Sequence, residues 1–236
     1  QAQVNALYSC LVMTVLTTVF SFLLTSVPAQ HGSTLSPETI AQRIEHFYAT
    51  IDDMSADFTN TYFQKIRNKK KVETGRIYVR RPRQLRIDYL APKKKYFVFD
   101  GKTAYFYVLE DAQVIRDQHF SSNKLSRSLS FLWGEGELLG SFRVDHCDRI
   151  PPDICHRATC HCIQLHPQKE LSEVDHLYLL ADRNDYHVHG VLIVDPLGNE
   201  TGLIFDDMKV NTGLSSDWFT FTIPPGVTVL DHGSQQ

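Results

Sequence analysis

Apolar residues recur at every second position in short runs along most of this chain, and that alternation constrains the fold more than any other feature. From Ser55 onward, Ala56, Phe58 and Tyr62 surround polar Asp57 and Thr59, and Leu85, Ile87 and Tyr89 alternate with Arg86 and Asp88. Further strand-like runs span 76–80, 96–99, 103–108, 113–117 and 142–147, then 162–165, 175–181, 188–195, 203–210 and 218–223. Turn signals separate them: Asp100-Gly101-Lys102, Asp195-Pro196-Leu197-Gly198-Asn199 and Pro224-Pro225-Gly226. A period of two belongs to a strand with one face buried. Roughly a dozen such strands at hairpin spacing predict one antiparallel sheet, curled or closed.

Two stretches break the alternation. Ser36 is a good N-cap and Pro37 suits the first helical position, where a missing N–H costs nothing. Ile40, Ile44, Phe47, Tyr48, Ile51 and Met54 then form a stripe at helical period, which predicts a helix packed on a core. Between Ser122 and Leu139, Leu125, Leu129, Leu132 and Trp133 again stand at helical spacing. Hydrophobic residues make up 42% of the 236, enough for a real core and too many for a disordered chain.

The first 37 residues hold no Asp, Glu, Lys or Arg, and Ala6 to Val27 is mostly apolar. Val27-Pro28-Ala29 places small or β-branched residues as a signal peptidase requires, so residues 1–29 are expected to be a cleaved signal peptide. An uncleaved anchor is the alternative, since about 20 residues span a bilayer. With no initiator Met and no basic segment ahead of the apolar run, the true start is expected to be missing. Residues 30–236 then read as one domain.

Charge is unevenly placed. The net charge of −3 excludes a globally basic nucleic-acid binder, yet thirteen Lys and Arg lie between Lys65 and Lys95 against two acids, Glu73 and Asp88. Arg76, Arg80, Arg86 and the Lys69-Lys70-Lys71 and Lys93-Lys94-Lys95 triplets read most simply as a solvated outer face with its turns. Docking on an anionic membrane or an acidic partner is the functional alternative.

Catalytic signatures are missing. There is no Gly-rich phosphate loop, no Gly-x-Ser-x-Gly elbow and no His-Glu-x-x-His, so an enzyme is not expected. One cluster stands out: His146-Cys147, Cys155-His156, Cys160-His161-Cys162 and His166. Its thiols and imidazoles could hold zinc, but an exported chain meets oxidants that favour disulfides. Cys147 ends one strand-like run and Cys162 begins the next, and Cys155 and Cys160 lie between. Cys147, Cys155, Cys160 and Cys162 permit three pairings, among which spacing does not choose.

Several stretches in register resemble the LolA family, periplasmic carriers of lipoproteins in Gram-negative bacteria. They are the run from Gly75 to Tyr89, Asp100-Gly101-Lys102-Thr103 with Tyr105-Phe106-Tyr107, Asp195-Pro196-Leu197-Gly198, and the run from Phe219 to Val229. Their order and separations fit from about Ser36 to Asp231. The resemblance implies a mainly β (α+β) fold, an incompletely closed antiparallel β-barrel of roughly eleven strands with a helical lid. It implies a monomeric periplasmic carrier without cofactor or metal. Such a carrier takes triacylated lipoproteins from an inner-membrane ABC transporter and hands them to an outer-membrane acceptor. At about 0.8 kcal/mol per buried CH₂, one long acyl chain exposed to water costs on the order of 10 kcal/mol, so the crossing requires an apolar host.

By the same resemblance, Phe58, Leu85, Ile87 and Tyr89 line the acyl-binding face, with Leu85 standing where the family usually has Phe. Arg81, directly before Pro82, occupies the family's lid-latch position. Alternation adds that Arg86 and Asp88 face water. Arg80, Arg83, Arg86 and the Cys/His-rich insertion depart from the family pattern. Three other readings remain: an outer-membrane acceptor, an envelope-stress sensor, or a metal-dependent enzyme on the Cys/His cluster. An acceptor would carry an acylated Cys where Gln30 stands, and a sensor would need a further domain.

Overall fold

Helix α1 (Pro37–Ala49) begins where the sequence places it. The Ser36 hydroxyl accepts from the Thr39 N–H at 3.2 Å, and Pro37 occupies the first turn. It ends at Ala49, earlier than the apolar stripe suggested. The Thr50 hydroxyl donates to the Phe47 carbonyl at 2.8 Å and closes the last turn. Ile51 and Met54 are buried, but from the connection and the first strand, where they meet the core that Ile40, Ala41, Ile44 and Tyr48 also enter. In this computed structural model the described residues are 35–120, 137–151, 154 and 159–232, and they fall within one unit, 35–236. The expected signal peptide, Cys155 and most of the predicted second helix lie outside the described residues.

The strands are β1 (Asp53–Gln64), β2 (Lys69–Arg80), β3 (Gln84–Ala91), β4 (Lys95–Phe99), β5 (Ala104–Val108) and β6 (Gln113–Asp117). After a short helix α2 (Leu138–Ser141) come β7 (Phe142–His146), β8 (Cys160–Pro167), β9 (His176–Asp182), β10 (Val188–Val194), β11 (Glu200–Val210) and β12 (Thr228–Asp231). They form a single twelve-stranded sheet in the order β12-β6-β5-β4-β3-β2-β1-β11-β10-β9-β8-β7. The order does not return on itself, so the barrel is not closed. Among the described residues every pairing is antiparallel except that of β12 with β6. The alternating runs in the sequence also number twelve, but 218–223 among them is no strand and β12 is not among them, whereas the family resemblance implies roughly eleven.

Register sets which side chains share a face. One row across the sheet joins Met54, Val79, Leu85, Phe99 and Ala104, and the next joins Ala56, Ile77, Ile87, Phe97, Phe106 and Ile115. This is the concave face, and α1 packs on it. A second, smaller apolar cluster forms on the convex face from Tyr178, Leu180, Leu192 and Val194, covered by Ile150, Ile154, Cys147 and Cys162. The described residues 147–151 and 154, between β7 and β8, therefore form a flap on the outside of the barrel.

The run 218–223 is not a strand. Ser216–Phe219 is a 3-10 helix capped by Ser215, and the chain then crosses the convex face as a strap. Trp218 stacks on Tyr78 with ring centroids 4.9 Å apart, and Phe221 lies 5.2 Å from the Tyr105 ring. Its aromatic spacing mimics a strand because it lies on an apolar surface, while its Trp218 carbonyl accepts from Arg86 Nη1 at 3.2 Å.

Candidate functional site

Phe58, Leu85, Ile87 and Tyr89 all lie on the concave face, brought there from β1 and β3 by the alternation of each strand. Gly75 makes the approach of Phe58 possible. A Cβ at Gly75 would stand 2.8 Å from the Phe58 ring and 2.1 Å from the Asp88 carbonyl oxygen, so only glycine fits. The freed space lets Phe58 meet Tyr89 edge to face at 5.3 Å. Burial then divides the four. Phe58 and Leu85 are covered, whereas Ile87 and Tyr89, like Phe97 beside them, keep part of their surface open. Exposure grows along the row toward Ile115, which is 37% exposed. An apolar face that is roofed at one side and open at the other suits a flexible apolar ligand.

A charged group closes this face near the β1–β2 turn. Glu73 accepts from Lys95 at 2.8 Å and Lys71 at 2.9 Å, and Lys95 Nζ sits 4.2 Å from the centre of the Tyr89 ring. Burial pushes the Glu73 carboxyl up, but the two ammonium groups outweigh it and hold it below the usual range. Burial, helped by the Glu73 charge, raises the Tyr89 phenol.

Arg81 lies at the opposite end. Its backbone N–H donates to the Asp52 carbonyl at 2.8 Å, and its guanidinium donates to the carbonyls of Ala49, at 3.1 Å, and of Tyr48. These are carbonyls that the end of an α-helix leaves unpaired, at the negative pole of its dipole. One arginine thus ties β2 to the C-terminal end of α1.

Other fastenings of α1 and of the connection after it gave no clear signal in the sequence. Asn211 Oδ1 accepts from the Asp52 N–H at 2.7 Å, and the Asn211 N–H donates to the Asp53 carbonyl at 2.8 Å. The Tyr48 hydroxyl accepts from the Val188 N–H at 3.1 Å, Arg43 donates to the Tyr186 hydroxyl, and Glu45 accepts from the N–H groups of Leu138 and Leu139 in α2. Each joins residues more than 90 positions apart, which local patterns do not reveal.

Arg86 and Asp88 do not face open water. Arg86 Nε donates to Asp88 at 2.8 Å, and the guanidinium lies 5.8 Å from the Trp218 ring and 5.9 Å from that of Tyr96. The strap covers them, which leaves Asp88 13% and Arg86 25% exposed.

Cys147 and Cys162 are joined by a disulfide, with Cα atoms 5.8 Å apart, and Cys160 is also disulfide-bonded. Sulfurs bonded in this way are not thiolate ligands, which removes three donors from any zinc site in the cluster. Elsewhere Asp182, Asp185 and His187 stand close enough to share a cation, but Asp182 accepts from the Asn184 N–H at 2.7 Å and Asp185 from His187 Nδ1 at 2.6 Å. Those bonds build the β9–β10 turn. A groove of about 600 Å³ lies on the convex face, between the flap residues Arg149, Pro151 and Ile154 and the strand residues Val72, Leu192 and Ile204, and includes none of the predicted lining residues.

The family model for the outer membrane lipoprotein carrier protein LolA matches residues 49–222. The chain belongs to the LolA family. An outer-membrane lipoprotein carrier protein of Chromobacterium violaceum is 25% identical over 188 residues, covering 80% of this chain and 85% of the relative. One from Methylococcus capsulatus is 24% identical, covering 85% of this chain and 92% of its own. Among solved structures, an uncharacterized conserved protein from Thermus thermophilus superposes with a TM-score of 0.53 at 14% identity, covering 83% of this chain and 98% of that one, and shares the fold. The LolA-family match takes in all four concave-face residues, Arg81 and the disulfide-bonded flap. Among the described residues no helix is long and apolar enough to cross a membrane.

Proposed function

We propose that this chain is a periplasmic lipoprotein carrier that holds acyl chains against the concave face. In this reading it receives triacylated lipoproteins from an inner-membrane ABC transporter and delivers them to an outer-membrane acceptor, as a monomer and without catalysis. The observation that carries the reading is the pairing, in a LolA-family chain, of a partly open apolar concave face with a helix fastened over it by Arg81. The apolar surface of Ile87, Tyr89 and Phe97 offsets the cost of hydrating acyl chains. Opening for cargo requires the α1 end to leave Arg81, and reclosure recovers two charge-assisted bonds, one exposed and one partly buried, together worth about 1–3 kcal/mol. The closed, empty state is then low enough in energy to favour release.

Arg81→Leu removes the latch and adds an apolar contact. The variant is expected to load lipoprotein normally and to deliver it to acceptor membranes at least tenfold more slowly. Delivery at the wild-type rate would leave the latch role without support.

A further inference from the structure

We propose that the end of the barrel away from Arg81 is a docking surface for an anionic lipid bilayer. Three turns meet there, β1–β2, β3–β4 and β10–β11. The strands that they join are neighbours in the sheet, in the order β4-β3-β2-β1-β11-β10, and the antiparallel alternation sends all three turns to the same end. The Lys65 N–H donates to Asn199 Oδ1 at 3.0 Å, which fastens the β1–β2 turn to the β10–β11 turn.

Large apolar side chains project from this end. Ile66, in the β1–β2 turn, is 80% exposed, Leu197 in the neighbouring turn is 67% exposed, and Leu90 near the end of β3 is 54% exposed. They stand among cations. Lys71 and Lys95 are engaged by Glu73, and Lys93 by Glu110. Lys65, Arg67, Lys69, Lys70 and Lys94 are exposed and make no ion pair among the described residues. A turn that serves only to stay hydrated gains nothing from an isoleucine at its tip.

Cations around projecting apolar side chains match the chemistry of a bilayer whose headgroups are anionic. The ammonium and guanidinium groups settle at the phosphates while the apolar tips enter the acyl boundary. A protein partner would need a recess to receive these side chains, whereas a fluid bilayer makes its own. Acids bound the surface on both sides, Glu110 and Asp111 in the β5–β6 turn and Glu170 and Glu173 between β8 and β9. They confine contact to the three central turns and so fix the orientation.

The docking surface stands apart from the carrier reading, because its residues are exposed at the barrel end and none of Phe58, Leu85, Ile87 and Tyr89 is among them. The test is co-sedimentation of the exported protein, as recovered from cells, with vesicles of phosphatidylcholine alone or mixed with phosphatidylglycerol. Binding is expected only to the anionic vesicles and should weaken at least tenfold between low and high salt. Ile66→Ser should lower that affinity several-fold without changing the salt dependence. Lys69→Glu with Lys70→Glu should lower it at least tenfold and flatten the salt dependence. Both changes are in exposed positions, so an unchanged melting temperature checks the fold. Ile87→Glu, on the concave face, should leave vesicle binding as it was, which separates docking from uptake of single lipids. Equal binding to both kinds of vesicle, no binding to either, or wild-type affinity in the Ile66 and Lys69/Lys70 variants would overturn the proposal. So would loss of vesicle binding in a folded Ile87→Glu protein.

Discussion

Asp53 shows how one side chain can hold several elements at once. It is 5% exposed, and one carboxylate oxygen accepts from the Thr212 N–H at 2.9 Å and its hydroxyl at 3.0 Å. The other accepts from the N–H groups of Gly213 at 2.9 Å and Leu214 at 3.2 Å. Burial pushes this carboxyl up, and the four bonds outweigh it to hold it below the usual range. A depressed folded-state pKa stabilises the fold at pH values above the unfolded-state value, near 4, and that contribution is lost as pH falls through the folded-state value. Asp53→Ala leaves several donors without a partner and should cost about 2–4 kcal/mol at neutral pH. Thermal melts from pH 7 to pH 3 should show the two proteins converging below about pH 4. A gap that stays constant to pH 3 would show that the carboxylate charge is not what stabilises this corner.

At the scale of elements, the flap on the convex face is the clearest case of local sequence serving distant packing. Its Ile154 reaches β10 because position 190 is glycine. A Cβ there would stand 2.4 Å from Ile154 Cγ2 and 2.7 Å from the Leu203 carbonyl oxygen. Gly190→Val should lift the flap, cost about 1–3 kcal/mol and expose the segment to protease while the rest of the barrel resists. Uniform protease resistance would argue against that packing. Cys147→Ala should cost about 2–4 kcal/mol in chemical denaturation and leave acyl binding intact, because the disulfide lies on the other face from Ile87. A variant that keeps its stability but no longer binds acyl chains would contradict the division of faces.

The same elements show why some of the fold was legible in sequence and some was not. The strand alternation and the Ser36-Pro37 helix start are local signals, each written within a few residues of what it controls. The end of α1 is hidden in the sequence because Ile51 and Met54 continue its spacing while serving a different element of the same core. The strap from Trp218 to Phe221 looks like a strand in sequence because covering an apolar face produces the same spacing as pairing within one. Of the site, alternation puts Leu85, Ile87 and Tyr89 on one face, while Phe58 joins them only through the family resemblance. The covering of Arg86 and Asp88 does not follow from alternation, since it depends on a strap more than 120 residues away.

Taken whole, the molecule separates its tasks by face and by end. The concave face is apolar and partly open, the convex face is covered by the strap and the flap, one end holds α1 through Arg81, and the other projects cations and apolar tips. The proposed acyl binding, lid control and membrane contact would then fall to separate surfaces, so that each could be altered without the others. The central claim is that the concave face carries acyl chains. It is tested most directly by mass spectrometry of what is extracted from the protein purified without detergent, alongside a folded Ile87→Glu variant. Acyl chains or triacylated peptides are expected from the wild type and should be lost from Ile87→Glu. Acyl-free wild-type protein, or equal acyl content in both, would contradict it.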